Sequence, residues 1–352
     1  MSTQPVFTIT YWGVTGTFCD PLLPKQVTDK LVDAIALLAE RKLLSKLDAE
    51  TDLREAIRKL LEAELPLAMR STYGGNTTCV ELQTPDALLI LDCGSGFREL
   101  GQSLDRRWAD QGDAAIRSAC ILLTHAHIDH TFATPYFSPY YDSRNAFTIF
   151  GPQATLDSLT AVLDAKSAMS QIYFPPTYSE MKGIRGFRRI EPGADRMLGS
   201  TRITTYRLKH PGGSMAYRFE NAGRVFVFAT DHEHEEVPDP GLMEFARGAD
   251  LFYTEGQYTK AEYSAEVGIG GDRPMSHRGW GHSPVESCIA TALAAGVHRL
   301  HIGHRDPRRN DEQIAEFETN ARELLKAELQ VRMQSPDACE LLIPYEGMQV
   351  HI

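Results

Sequence analysis

Apolar and polar residues change their spacing twice along the first hundred positions of the chain. Residues 6–12, VFTITYW, consist of β-branched and aromatic residues before a glycine-bearing turn, which predicts a first strand. From about Thr28 to Glu64 there is neither glycine nor proline, and apolar residues recur at helical spacing, which predicts a helical hairpin broken near residues 47–51. Strand patterns resume over residues 77–94. We therefore expect residues 21–70 to be a helical insertion within a sheet.

In the remainder of the chain, apolar runs typical of strands alternate with runs typical of helices. The predicted strands are ACILL, AFTIFG, RITTYRL, MAYRFE, RVFVFAT, LFYTE and RLHIG, and the predicted helices lie near residues 153–168, in PVESCIATALAAG and near residues 311–327. Two halves that each mix strands and helices favour an α/β layered sandwich. We expect residues 1–352 to form a single domain.

Composition limits the classes of protein and partner. A hydrophobic content of 42% and a charged content of 24% are ordinary for a globular protein, and the six cysteines have no C-x-x-C spacing. No run of about 18 apolar residues occurs, so we expect a cytoplasmic protein without a membrane partner. The net charge of -11 opposes binding to a polyanion. We therefore expect no long nucleic acid as a partner.

One short motif carries most of the candidate chemistry. Residues 124–130, THAHIDH, contain three histidines and an aspartate directly after an apolar run. Neutral imidazole is a common zinc ligand, and a nearby carboxylate suits a second metal ion. Further candidate ligands follow later apolar strands. The predicted metal ligands are His125, His127, Asp129, His130, His210, Asp231 and His304.

The order of these residues along the chain resembles the metallo-β-lactamase superfamily. That resemblance implies an αββα sandwich with the metal ions at one edge, between the two sheets. It also implies that one ion is held by His125, His127 and His210. The other ion would be held by Asp129, His130 and His304, and Asp231 would bridge the two. The implied cofactors are two Zn²⁺ ions, with Mn²⁺ or Fe²⁺ as alternatives.

A second motif resembles one branch of that superfamily. The residues GHS, 281–283, are similar to the G-H-S-T element of the ribonuclease Z-like phosphodiesterases, although Pro284 stands where threonine is expected. The resemblance implies that His282 is a proton donor or phosphate contact and that Asp92 supports the site. The chain has no long Gly- and Pro-rich arm of the kind that grips transfer RNA, so we do not expect processing of whole transfer RNA.

These features lead to a predicted reaction. We expect a dinuclear phosphodiesterase that cleaves a small phosphodiester such as a cyclic nucleotide through a metal-bridging hydroxide, with Asp129, Asp231 and His282 as catalytic residues. Hydrolysis of a lactone, thioester or β-lactam is the alternative reaction for the same centre. The third hypothesis is a non-catalytic binding protein with the same fold.

Some substrate contacts and an oligomeric state also follow as hypotheses. Three arginines after the last predicted ligand, Arg305, Arg308 and Arg309, are candidate phosphate contacts. Six aromatic residues are candidates for stacking on a nucleobase: Tyr136, Phe137, Tyr140, Tyr141, Tyr173 and Phe174. The apolar faces of the helical hairpin need a partner, and a homodimer is one way to cover them.

Overall fold

Strands form where short runs of β-branched and aromatic residues occur. The computed structural model describes residues 5–47, 52–164, 174–234 and 238–352. Within those ranges the strands are β1 (Thr8–Gly13), β2 (Cys79–Gln83), β3 (Leu88–Leu91), β4 (Ser118–Leu122), β5 (Ala146–Gly151), β6 (Ile184–Arg189), β7 (Asp195–Leu198), β8 (Thr201–Leu208), β9 (Ser214–Asn221), β10 (Arg224–Ala229), β11 (Leu251–Glu255), β12 (Arg299–Gly303), β13 (Glu340–Leu342) and β14 (Gln349–His351).

Helices fill most of the connections between these strands. Over the same described ranges the α-helices are α1 (Pro24–Glu40), α2 (Leu53–Glu64), α3 (Leu67–Arg70), α4 (Gly96–Gln111), α5 (Ile128–Thr131), α6 (Gln153–Leu163), α7 (Pro240–Phe245), α8 (Lys260–Tyr263), α9 (Val285–Ala295) and α10 (Asp311–Val331). None of the helices in the described part of the chain is long and apolar enough to cross a membrane.

The strands that the structure describes form two mixed sheets of seven strands each. The first has the order β14-β1-β2-β3-β4-β5-β6 and the second the order β13-β12-β11-β10-β9-β8-β7. In the first sheet, pairing is antiparallel from β14 to β3 and parallel from β3 to β6. In the second, it is parallel from β13 to β10 and antiparallel from β10 to β7.

The core lies in three layers. Between the sheets, side chains such as Tyr11 and Leu122 pack with Phe226 of the other sheet. Helices α4 and α6 cover the outer face of the first sheet, and α9 and α10 cover the outer face of the second, each through its own apolar cluster. Burial of both faces of each sheet and of one stripe of each covering helix produces this order of layers. The predicted αββα sandwich is confirmed.

The helical hairpin lies at the side of the second sheet's outer helix layer. Helix α1 begins four residues before the predicted Thr28, and the predicted break at residues 47–51 falls mostly outside the described residues. Lys30 of α1 forms an ion pair of 2.9 Å with Asp311 of α10. Leu31 and Ile35 on α1 are nevertheless largely exposed. That residues 21–70 are an insertion into a single domain stays a prediction.

Candidate metal centre

Asp92 holds the segment 124–130, which contains the THAHIDH motif, through hydrogen bonds. It directly follows β3, is fully buried, and accepts hydrogen bonds from the Thr124 amide (2.8 Å), the Thr124 hydroxyl (2.9 Å) and His130 Nδ1 (2.8 Å). Because the Thr124 hydroxyl donates to Asp92, it accepts from His125 Nδ1, 3.0 Å away. When these rings are neutral, the Nε2 atoms of His125 and His130 therefore carry the lone pairs, as metal ligation requires.

The first group of candidate ligands comes from both sheets. His125 and His127 follow β4 of the first sheet, and His210 follows β8 of the second. His210 Nδ1 donates to the Gly281 carbonyl at 2.8 Å, so its Nε2 carries a lone pair, and that atom lies 3.0 Å from His127 Nδ1. Within the described residues, the buried Nε2 of His125 has no hydrogen-bond partner. Ring nitrogens of three histidines thus converge, and the one on His125 has no partner among the described residues.

The second group combines one carboxylate and two imidazoles. His304 Nε2 lies 3.0 Å from His130 Nε2 and 3.1 Å from Asp129 Oδ2. The same Asp129 oxygen accepts a hydrogen bond of 2.8 Å from the backbone amide of Thr17. All of these side chains except part of Asp129 are removed from solvent.

Asp231 stands between the two groups. Its Oδ1 lies 3.7 Å from His210 Nε2 and 3.4 Å from His304 Nε2, and its Oδ2 lies 3.2 Å from His130 Nε2. A carboxylate in this position contacts ligand atoms of both groups. The structure therefore brings together all seven residues that the sequence predicts as ligands.

The protonation of these side chains suits a divalent cation. Burial holds the pKa of His125 well below its usual range and lowers the pKa of His210 to about 4, so both rings are neutral at pH 7. Burial also favours protonated Asp231, but His304, His130 and His125 outweigh it and keep the pKa of Asp231 low. Burial opposes charge on His130, but Asp231, Asp129 and Asp92 together raise its pKa. The same negative potential would attract a metal ion in place of that proton.

The candidate ligand atoms are of the kinds that bind the divalent metals expected from the sequence. Neutral imidazole nitrogens and carboxylate oxygens are typical ligands of Zn²⁺, Mn²⁺ and Fe²⁺. The unpartnered nitrogen of His125 and the 3.0 Å contact between His130 Nε2 and His304 Nε2 are the observations that a cation would explain.

Backbone strain is concentrated at the same place. Asp92, Asp231 and His304 each adopt a positive φ, at 60°, 60° and 47°, and so does Thr17 at 66°. A residue with a Cβ pays a steric cost in this region. Such strain often accompanies functional sites, where the surrounding structure holds a side chain in one orientation.

His282 and Glu255 form the wall beyond Asp231. His282 Nδ1 lies 3.6 Å from Glu255 Oε2 and 3.8 Å from Asp231 Oδ1. Burial alone would lower the pKa of His282, but Glu255 and then Asp231 raise it to about 9. Glu255 is fully buried and ends β11. The sequence reasoning missed it, although it follows the apolar run LFYT just as the predicted ligands follow theirs.

Two other residues at the centre were also missed. Gln257 places its side-chain amide 2.9 Å from His304 Nδ1, and Thr17 contacts Asp129 through its backbone. Neither residue type signals metal chemistry in a sequence. Only the approach of separate chain segments brings them to the ligands.

The three arginines are engaged elsewhere. Arg305 is buried, donates to the Gly74 carbonyl and lies over the ring of Tyr73. Arg308 pairs with Asp306 at 2.6 Å, and Arg309 pairs with Glu262 at 2.5 Å. Each arginine thus has a partner within the protein, although the buried Nη1 of Arg305 has no hydrogen-bond partner among the described residues. That these arginines contact a phosphate stays a prediction.

The predicted aromatic contacts divide into two sets. Phe137 and Tyr140 are fully buried in the layer beneath α4, so they are core residues rather than substrate contacts. Tyr136 is exposed, and its ring lies 5.0 Å from that of Phe174. Tyr173 lies outside the described residues.

Sequence relatives of the chain are ribonucleases. Ribonuclease TTHA0252 of Thermus thermophilus is 31% identical over 180 residues, which cover 48% of this chain and 38% of that protein. The chain thus spans less than half of the length of that relative. Ribonuclease Z of Mycolicibacterium paratuberculosis is 26% identical over 234 residues, which cover 62% of this chain and 76% of that protein.

These relatives correct one prediction. Enzymes named as ribonucleases act on RNA, so the expectation that the chain has no long nucleic acid partner is wrong. The physical reason is that a net charge of -11 sums the whole surface, whereas a nuclease needs only local neutralisation of the phosphate at its centre.

The fold and a family model agree with the geometry of the site. The metallo-β-lactamase fold protein YhfI of Bacillus subtilis superposes with a TM-score of 0.60 at 16% identity, covering 99% of this chain and 100% of that one. The model of the β-lactamase superfamily domain matches residues 88–304, a range that begins with β3 and ends on the last candidate ligand. By its fold, its converging histidines and aspartates and this match, the chain belongs to the β-lactamase superfamily.

Proposed function

We propose that this protein is a divalent-metal-dependent phosphodiesterase that hydrolyses the sugar–phosphate backbone of RNA. The observation that carries the proposal is the pair of ligand groups that share Asp231. The names of its ribonuclease relatives support phosphorus rather than carbonyl carbon as the centre attacked.

Each group would hold one ion. His125, His127 and His210 form the first set, and Asp129, His130 and His304 form the second. Divalent ions in these sets would make water a stronger nucleophile and neutralise charge on the phosphoryl oxygens.

The other residues of the site position or donate protons. Asp92 keeps the Nε2 lone pair of His130 directed into the site. His282 is the candidate proton donor to the leaving oxygen, because its partly accessible ring stands beside Asp231. Glu255 lies 3.6 Å from Nδ1 of the same ring and favours the protonated ring by its charge.

A panel of substrates tests the reaction type. Purified protein loaded with Zn²⁺ or Mn²⁺ is assayed on an unstructured 12-nucleotide RNA, on cyclic AMP, on bis(p-nitrophenyl) phosphate and on nitrocefin and a thioester. We expect hydrolysis of RNA and of the simple phosphodiester. Activity on cyclic AMP alone would favour the small substrate that the sequence suggested, and activity confined to nitrocefin or the thioester would overturn the proposal.

Substitution of the shared carboxylate tests the site. Asp231→Asn removes a negative charge between the two groups, so we expect a loss of activity of about 100-fold or more. Asp195→Asn, on an exposed edge strand, is the matched control. If metal-loaded protein hydrolyses no substrate of the panel, the hypothesis of a non-catalytic binding protein is favoured.

A further inference from the structure

A patch of exposed apolar side chains adjoins the candidate metal centre. Phe18, Ile128 and Phe132 are 72%, 73% and 38% exposed. They line a shallow cavity of about 80 Å³ whose wall also contains Asp129. Whatever occupies this cavity therefore touches a candidate metal ligand directly.

The patch is fixed rigidly to that ligand. Ile128 and Phe132 are four residues apart on α5 and its cap, so they lie on the same side of one helical turn, and Asp129 belongs to that turn. Phe18 follows Thr17, whose backbone amide donates to Asp129 Oδ2. Two separate chain segments thus hold apolar side chains at one position beside the centre.

Aromatic rings continue the patch away from the centre. The ring of Tyr136 lies 6.4 Å from that of Phe132 and 5.0 Å from that of Phe174. Tyr136 is 50% exposed, whereas Phe174 is partly buried against the apolar cluster beneath α4. Phe18, Phe132 and Tyr136 therefore form a group of exposed aromatic residues, and such rings can stack on planar groups.

The cavity beside Asp129 is lined by apolar and neutral polar side chains and by Asp129 itself, without an arginine or lysine. Arg305, Arg308 and Arg309, which follow the last candidate ligand, are bound to carbonyls and carboxylates of the protein itself. A substrate with nucleobases would instead gain affinity from their flat apolar faces, which bind aromatic side chains in a manner tolerant of sequence.

We propose that Phe18, Ile128 and Phe132 bind an unpaired nucleobase of the nucleotide next to the scissile phosphate, which makes single-stranded RNA the substrate class. This inference rests on the proposed phosphodiesterase function. The three residues determine specificity and take no part in the bond cleavage itself.

An abasic substrate tests the inference. Cleavage of an unstructured 12-nucleotide RNA is first mapped, and the same RNA is then made with an abasic residue on either side of the cleaved bond. We expect kcat/KM of the native protein to fall about tenfold or more with one of the two abasic RNAs. In Phe18→Ala, kcat/KM should fall about tenfold on the intact RNA and change little on that abasic RNA. Phe18→Trp should keep the higher kcat/KM on the intact RNA than on the abasic one.

Controls separate the two proposals. Ile116→Ala changes a side chain that is 82% exposed and lies before β4, at the end of that strand away from the motif, so it should leave both rates unchanged. Ile128→Gln provides a second exposed position if Phe18→Ala fails to fold. Equal rates on intact and abasic RNA would overturn the stacking proposal alone. Absence of hydrolysis of every phosphodiester would overturn the proposed function.

Discussion

Replacing Asp92 with asparagine is expected to move the ring protons of two candidate ligands while leaving the shape of the site intact. The Asp92 oxygen that faces the Thr124 amide must remain an acceptor, so the new NH₂ group takes the other position, facing the Thr124 hydroxyl and His130 Nδ1. That group can only donate there. His130 Nδ1 must then accept, and its proton moves to Nε2.

The change extends to His125 through Thr124. Once its oxygen accepts from the asparagine, the Thr124 hydroxyl is free to donate to His125 Nδ1 at 3.0 Å, which moves the second proton to His125 Nε2. Loss of a residue that orients a metal ligand typically weakens metal affinity by about 10–100-fold. Since one ligand from each group is affected, we expect the upper end of that range for both ions and a matching loss of turnover.

The assay is metal occupancy measured against a competing chelator, together with kcat on RNA. Asp311→Asn is the control, because it removes a buried carboxylate that accepts from the Tyr73 amide and is not a candidate ligand. The control should lose stability without losing metal. If Asp92→Asn binds metal as tightly as the native protein, the argument from ring protons is refuted.

Three further predictions concern the glycine beside the centre, the metal ions and the helical hairpin. Gly281→Ala would place a Cβ 2.1 Å from His210 Nδ1, so activity should fall about 100-fold or more. Gly279 has a similar positive φ with open space where a Cβ would lie, so Gly279→Ala should keep activity. Equal losses of activity in both variants would mean that backbone strain, and not the contact with His210, is responsible. Removal of metal with a chelator should lower Tm by a few degrees, and Zn²⁺ should restore it. The reason is that an ion at 100 times its Kd adds about 2.7 kcal/mol to the free energy of unfolding. If the Tm of metal-free protein equals that of metal-loaded protein, the ligand assignment is contradicted. Leu31→Asp combined with Ile35→Asp should convert a dimer to a monomer in light scattering, since both residues expose apolar area on α1, and a monomeric native protein would contradict the expected homodimer.

The sequence alone predicted most of the longer strands and helices and the order of the candidate ligands, but not helix α4 or strands β6, β7, β13 and β14. Local spacing decides whether a segment is a strand or a helix, because the side-chain period follows from the backbone. His125, His127, Asp129 and His130 lie within six residues, so their proximity needs no tertiary structure. His210, Asp231 and His304 were found because each follows an apolar strand whose end lies at the edge of a sheet.

Tertiary structure alone decided what surrounds those ligands. Glu255, Gln257 and Thr17 reach the centre from distant segments, and Phe18 lines the same cavity as Ile128 although more than a hundred residues separate them in the chain. The same packing gives each of the arginines after His304 a partner within the protein. Contacts between distant segments depend on how layers pack and on which donors are already satisfied. A periodic pattern specifies which face of an element is buried, but it does not specify what that face meets.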